Sequence, residues 1–180
     1  MNTTRKLLLT ALFTALVIVG TFLRIPLPPV PISLQTFFVM LASLLLSPAM
    51  AFESIALYLL LGVIGIPVFS SGGGLGALLG PTGGFLIAMG FEALAGSLIA
   101  DHENKSGIWR DLVALLAGEV IVYAIGVPFL KMKLSLTWAK AFAAGMTPFL
   151  IGDTIKIIAA LLLARGLRDK VHAFLTKESA

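Results

Sequence analysis

Long apolar runs alternate along the chain with short breaks of proline, glycine or charge. Six runs stand out: about Leu7 to Leu23, Ile32 to Leu46, Ala49 to Ile66, Gly83 to Ala100, Asp111 to Val127 and Met146 to Ala164. Most approach the ~20 residues that carry a helix across a ~30 Å hydrocarbon core, and the second is short. Ser47 and Pro48 divide the second run from the third, and Asp101 to Arg110 (DHENKSGIWR) is the only long hydrophilic linker. The pattern predicts an all-α integral membrane protein with six transmembrane helices in a single domain, residues 1–180, without an internal repeat. Arg5 and Lys6 ahead of the first run imitate a secretory signal. No small-x-small cleavage site follows, so this run is read as an uncleaved first helix.

Composition supports that reading. Of the 180 residues, 12% are charged, about half the ~25% that a water-facing surface needs. The net charge of +4 is spread over helix ends, which gives nucleic acid no basic patch to bind. Placing both termini in the cytoplasm puts Arg5, Lys6, Lys105, Arg110, Arg165, Arg168, Lys170 and Lys177 inside, against Arg24, Lys131, Lys133 and Lys140 outside. That excess of basic residues favours both termini inside, as does an even number of spans. Cysteine is absent, and His102 and His172 both lie in charged polar stretches, so no metal site is expected. The run GGGLGALLGPTGG lacks the lysine of a phosphate-binding loop, so the chain does not hydrolyse ATP by itself. No H-E-x-x-H or G-x-S-x-G occurs either, and no cofactor is expected.

Two outer loops are more than connectors. Arg24 to Ser33 (RIPLPPVPIS) contains four prolines, each of which fixes φ, so the segment should be stiff and extended, close to polyproline II. Pro67 to Thr82 (PVFSSGGGLGALLGPT) is long, glycine-rich and still apolar. It either folds back over the bundle as a lid or plug, or lies on lipid headgroups.

Ionisable residues inside apolar runs are the sharpest functional signal, because each costs ~2.5–3.5 kcal/mol at a helix centre. Five occur: Glu53, Glu92, Glu119, Asp153 and Lys156. Glu53 is near the start of the third run and reaches the interface. Glu92 and Glu119 fall near mid-membrane, with interhelical hydrogen bonding and function both open. Asp153 and Lys156 stand three residues apart, roughly 60° around one helix face, and close enough to interact. Either they form a self-neutralising pair that lets the helix pack, or they grip a solute with amide-like and anionic ends beneath the apolar lid. In the first run Ala11 and Ala15, four apart, form a stripe that would admit another helix at short range.

Several stretches resemble a known family. The runs Pro29 to Phe38 (PVPISLQTFF), Tyr58 to Phe69 (YLLLGVIGIPVF), Gly80 to Phe85 (GPTGGF), Tyr123 to Pro128 (YAIGVP) and Ala144 to Lys156 (AGMTPFLIGDTIK) are similar to BioY, the biotin-binding S component of energy-coupling-factor (ECF) transporters. The resemblance covers nearly the whole chain in order. It implies an S-component-like six-helix bundle in the cell (inner) membrane of a bacterium or archaeon, capturing biotin from outside with high affinity. ATP-driven import would use a transmembrane coupling subunit and two cytoplasmic ATPases. The resemblance further implies that Gly152, Asp153 and Lys156 form the family's G-D-x-x-K element, and that Ala11 and Ala15 dock the coupling subunit. Gln35, Thr36, Phe69, Thr82, Gly83, Gly84 and Tyr123 become further candidate substrate contacts. Asp153 would accept from the ureido N–H groups of biotin, while Lys156 would meet the ureido oxygen or the carboxylate. Glu119 departs from the neutral residue expected there. Other readings are an S component for a different vitamin or a membrane-embedded enzyme using Asp153, Glu92 or Glu119.

Overall fold

The computed structural model describes residues 3–102 and 107–176; Lys105 and Lys177 of the charge tally lie outside them. Within these residues the fold is all-α apart from one two-stranded ladder and an isolated antiparallel bridge between Phe69 and Gly72. Eight helices are formed: α1 (Thr3–Phe22), α2 (Gln35–Leu45), α3 (Pro48–Val63), α4 (Leu75–Leu78), α5 (Gly83–Ile99), α6 (Ile108–Lys133), α7 (Trp138–Gly145) and α8 (Leu150–Thr176). By length and composition α1 and α6 are each able to cross a membrane, and α7 with α8, bent by 43°, forms a third candidate. The apolar helices α2, α3 and α5 are shorter.

The short helix α2 sits at the centre, against α1, α3, α5, α6 and α8. Nearly all of it is buried, from Gln35 and Val39 to Leu45, so its apolar side chains meet protein on every side. Helices α5 and α6 run antiparallel at close range. Gly84 faces Phe129, Phe85 faces Gly126, and Glu92 faces Gly118. A Cβ on Gly84 would fall 2.3 Å from the Phe129 Cβ, so only glycine permits this separation. Hydroxyls in the apolar helices bond back to the preceding turn, as Thr14 does to the Thr10 carbonyl and Thr21 to the Val17 carbonyl. This satisfies polar groups where water is absent.

Four features depart from the sequence reading. The proline-rich loop is a hairpin, not a single extended segment: β1 (Arg24–Ile25) pairs antiparallel with β2 (Ile32–Ser33). Its prolines occupy the turn, where a missing N–H breaks no ladder. Helix α6 continues through Pro128 to Lys133, so Lys131 and Lys133 are helical and not in a loop. The stretch that follows contains α7, which carries Lys140. Helix α8 continues twelve residues beyond Ala164, and on that extension Arg168 is buried, not a solvated cytoplasmic charge. It makes a 2.9 Å ion pair with Asp111 at the start of α6. The Asp111 carboxylate also accepts from the Asp101 backbone N–H at 3.0 Å.

The glycine-rich loop does fold back. Val68 and Phe69 are buried, and the Phe69 ring stacks edge-on against Tyr58, centroids 5.3 Å apart. Gly62 makes room for it, since a Cβ there would lie 1.9 Å from the ring. Glu53 is exposed on α3, in keeping with a position at an interface.

Candidate solute-binding site

A cavity opens beneath the two loops, between the first turns of α2, α5 and α8 and the middle of α6. It encloses about 620 Å³ of atom-free space, a figure that includes the part open to solvent. The hairpin residues Val30, Pro31 and Ser33, with Ser70 from the glycine-rich loop, form its roof. Arg24 ties the roof together by donating from its guanidinium to the Ser70 carbonyl.

Asp153 and Lys156 occupy the wall together. They lie on the first and second turns of α8, both buried, with Lys156 Nζ 3.0 Å from Asp153 Oδ1. Lys156 also donates to Thr36 Oγ1 at 2.9 Å, and the Tyr123 hydroxyl donates to Asp153 Oδ2. Both carboxylate oxygens of Asp153 are therefore engaged by protein, and Lys156 keeps one of its three N–H donors unassigned. Such a pair is stable away from water only when its remaining polar groups are also met.

Gln35 reaches the same cavity from α2. Its side-chain amide donates to the Tyr58 hydroxyl at 2.7 Å, and that hydroxyl faces the Val68 carbonyl at 3.3 Å. Tyr58 thus connects α2, α3 and the folded-back loop behind the wall. Thr82 lines the cavity at the start of α5.

Of the nine candidate substrate contacts read from the sequence, the structure brings Gln35, Thr36, Thr82, Tyr123, Asp153 and Lys156 to the lining of one cavity. Three do not line it. Phe69 packs inward on Tyr58 and Gly62. Gly83 and Gly84 are spaces for close backbone and ring approach, to Leu78 and Phe129. Ala11 and Ala15 do not line the cavity and are exposed on α1. The wall adds Phe85, Leu86, Met89, Glu119, Val122 and Phe149, whose sequence signal was apolar character alone, except for Glu119. Glu92 is fully buried behind the wall. Among the described residues no group of acids and histidines is placed to hold a metal ion.

An apolar helical bundle with candidate membrane-crossing helices, and a small cavity lined by a buried ion pair, defines the class as an all-α membrane protein with a candidate solute site. The chain matches the BioY family over residues 1–173, and it belongs to that family. It is 37% identical over 172 residues to a probable biotin transporter BioY of Lysinibacillus sphaericus, covering 92% of this chain and 88% of that one. It is 39% identical over 165 residues to the biotin transporter BioY of Thermotoga maritima, covering 91% and 96%. Among solved structures, the S-component for biotin from an ECF-type ABC transporter superposes with a TM-score of 0.85 at 30% identity, over 94% of this chain and 95% of that one. These relatives are named as transporters, not as enzymes.

Proposed function

We propose that this chain is the biotin-binding S component of an energy-coupling-factor transporter. The observation that carries the reading is the buried Asp153–Lys156 pair on the wall of a loop-roofed cavity, in a chain of the BioY family. Biotin has a cyclic urea with two N–H donors and a carbonyl, an apolar thioether ring and an acid tail. Apolar walls from Leu86, Met89, Val122 and Phe149 suit the ring and chain, and the polar side chains suit the two ends.

In this reading the chain is a multi-pass protein of the inner cell membrane. Helices α1, α2, α3, α5, α6 and α8 make six passages, and both termini are cytoplasmic. The cavity then faces outside, and its roof loops close over the captured vitamin. The exposed Ala11–Ala15 stripe lets a helix of the coupling subunit approach α1 closely, and two cytoplasmic ATPases drive import. Biotin is cargo, and no cofactor takes part. Mass spectrometry of small molecules released from the detergent-extracted chain tests the assignment. Biotin is expected, and a different vitamin in the released fraction would overturn it.

A further inference from the structure

A second, open pocket adjoins the cavity at its roof, lined by Arg24, Pro26, Leu27, Pro28, Pro31 and Ser70. Pro31 and Ser70 line the cavity as well, so the two spaces share a partition made by the hairpin and the glycine-rich loop. Arg24 is the only charged residue of this vestibule, and it is exposed. Its guanidinium donates to the Ser70 carbonyl through Nη1. Among the described residues it makes no further hydrogen bond and has no carboxylate partner. Arginine carries five N–H donors in a planar fork, and the edge formed by Nε and Nη2 matches a carboxylate.

The distribution of charge also favours this place for an anion. The cavity's single cation, Lys156, is balanced by Asp153 at 3.0 Å. Glu119, the other acid on the lining, cannot supply positive charge. The interior therefore has no surplus cation with which to hold an anionic group. At the roofed end the balance reverses. The hairpin with its flanks (residues 23–34), the glycine-rich loop (64–82) and the stretch from the end of α6 to the start of α8 (128–149) hold Arg24, Lys131, Lys133 and Lys140 and no acid. Lys131 stands over the Trp138 ring at 5.0 Å and Lys133 over the Phe129 ring at 5.3 Å. Neither they nor Lys140 line the cavity or the vestibule. Arg24 is the cation at the mouth.

We infer that Arg24 forms a second subsite, in the vestibule, which receives the carboxylate end of an anionic solute while the Ser70 carbonyl holds the guanidinium in place. The solute then reaches across the partition that Pro31 and Ser70 form. A carboxylate on the Nε–Nη2 edge makes charge-assisted bonds that an uncharged amide matches only weakly. The subsite selects for the free acid, and because it is open to water it does so modestly. This rests on the biotin reading above and assigns the acid tail to the roof.

The test titrates biotin and biotinamide, its uncharged primary amide, into wild type, Arg24→Gln and Arg24→Lys in detergent. Melting temperature without ligand is the check on folding. Wild type should bind biotin about three- to thirtyfold more tightly than biotinamide, and added salt should narrow that gap. Arg24→Gln should bind both ligands alike, near the wild-type affinity for biotinamide. Arg24→Lys, which keeps the charge without the fork, should fall between. If wild type binds the two ligands equally, or Arg24→Gln weakens both by one common factor, Arg24 only latches the roof, and the inference fails while the biotin reading stands. If wild type itself ignores biotin, the reading fails first.

Discussion

Lys156 and Asp153 meet at 3.0 Å one turn apart on α8, both buried, and each is also held by a side chain from another helix. Removing one partner strands the other charge, which costs about 3–5 kcal/mol. Lys156→Ala and Asp153→Asn should each lower the melting temperature of the ligand-free chain and weaken biotin binding by roughly two to four orders of magnitude. Replacing both at once, Asp153→Leu with Lys156→Met, should restore stability without restoring binding. Melting and biotin titration of the same samples check this, and recovery of both properties together would mean that the pair only packs.

The Arg168–Asp111 pair at the far end of α8 is buried as deeply but lies outside the cavity. Arg168→Ala should therefore destabilise the chain by about 3–5 kcal/mol while leaving biotin affinity of the folded fraction unchanged. Denaturation and binding isotherms separate the two effects.

Gly62 and Phe69 test the roof. A methyl at Gly62 collides with the ring, and overpacking of this kind costs about 1–3 kcal/mol. Gly62→Ala should displace the folded-back loop and raise the biotin dissociation rate about five- to hundredfold, with a smaller effect on association. Stopped-flow release of labelled biotin measures it.

The exposed stripe on α1 has a separate consequence. Ala11→Trp with Ala15→Trp should abolish co-purification with the coupling subunit and leave biotin binding at the wild-type level. Loss of both activities would place the stripe within the bundle's own packing.

Much of this architecture was legible in the sequence, and the exceptions share a cause. Hydropathy reports immersion in an apolar medium, so α1, α3 and α5 were found close to their bounds. It does not report helicity, so α8 was cut at Ala164 where charge resumes, although the helix runs on to Thr176. It missed α7 entirely, because lysine and tryptophan interrupt the apolar run. The fifth run ends at Val127, yet α6 continues through Pro128, and Phe129 beyond it packs on Gly84 of α5. The hairpin depends on Arg24 meeting Ser33, a pairing that proline content alone does not reveal.

The site divides in the same way. Asp153 and Lys156 declared themselves as opposite charges one turn apart within an apolar run. Thr36 and Tyr123 join them only through helix packing, from 120 and 30 residues away. The resemblance supplied those residues before the fold did. That Glu119 faces the cavity while Glu92 stands behind it follows from the α5–α6 register. Arg168 and Asp111, 57 positions apart, gave no local sign of each other.

Calorimetric titration of biotin into the purified, detergent-solubilised chain addresses the central claim most directly. Saturable binding of one biotin per chain, lost in Lys156→Ala, is predicted. A folded wild-type chain that gives no binding signal with biotin, or an undiminished one in that variant, would contradict it.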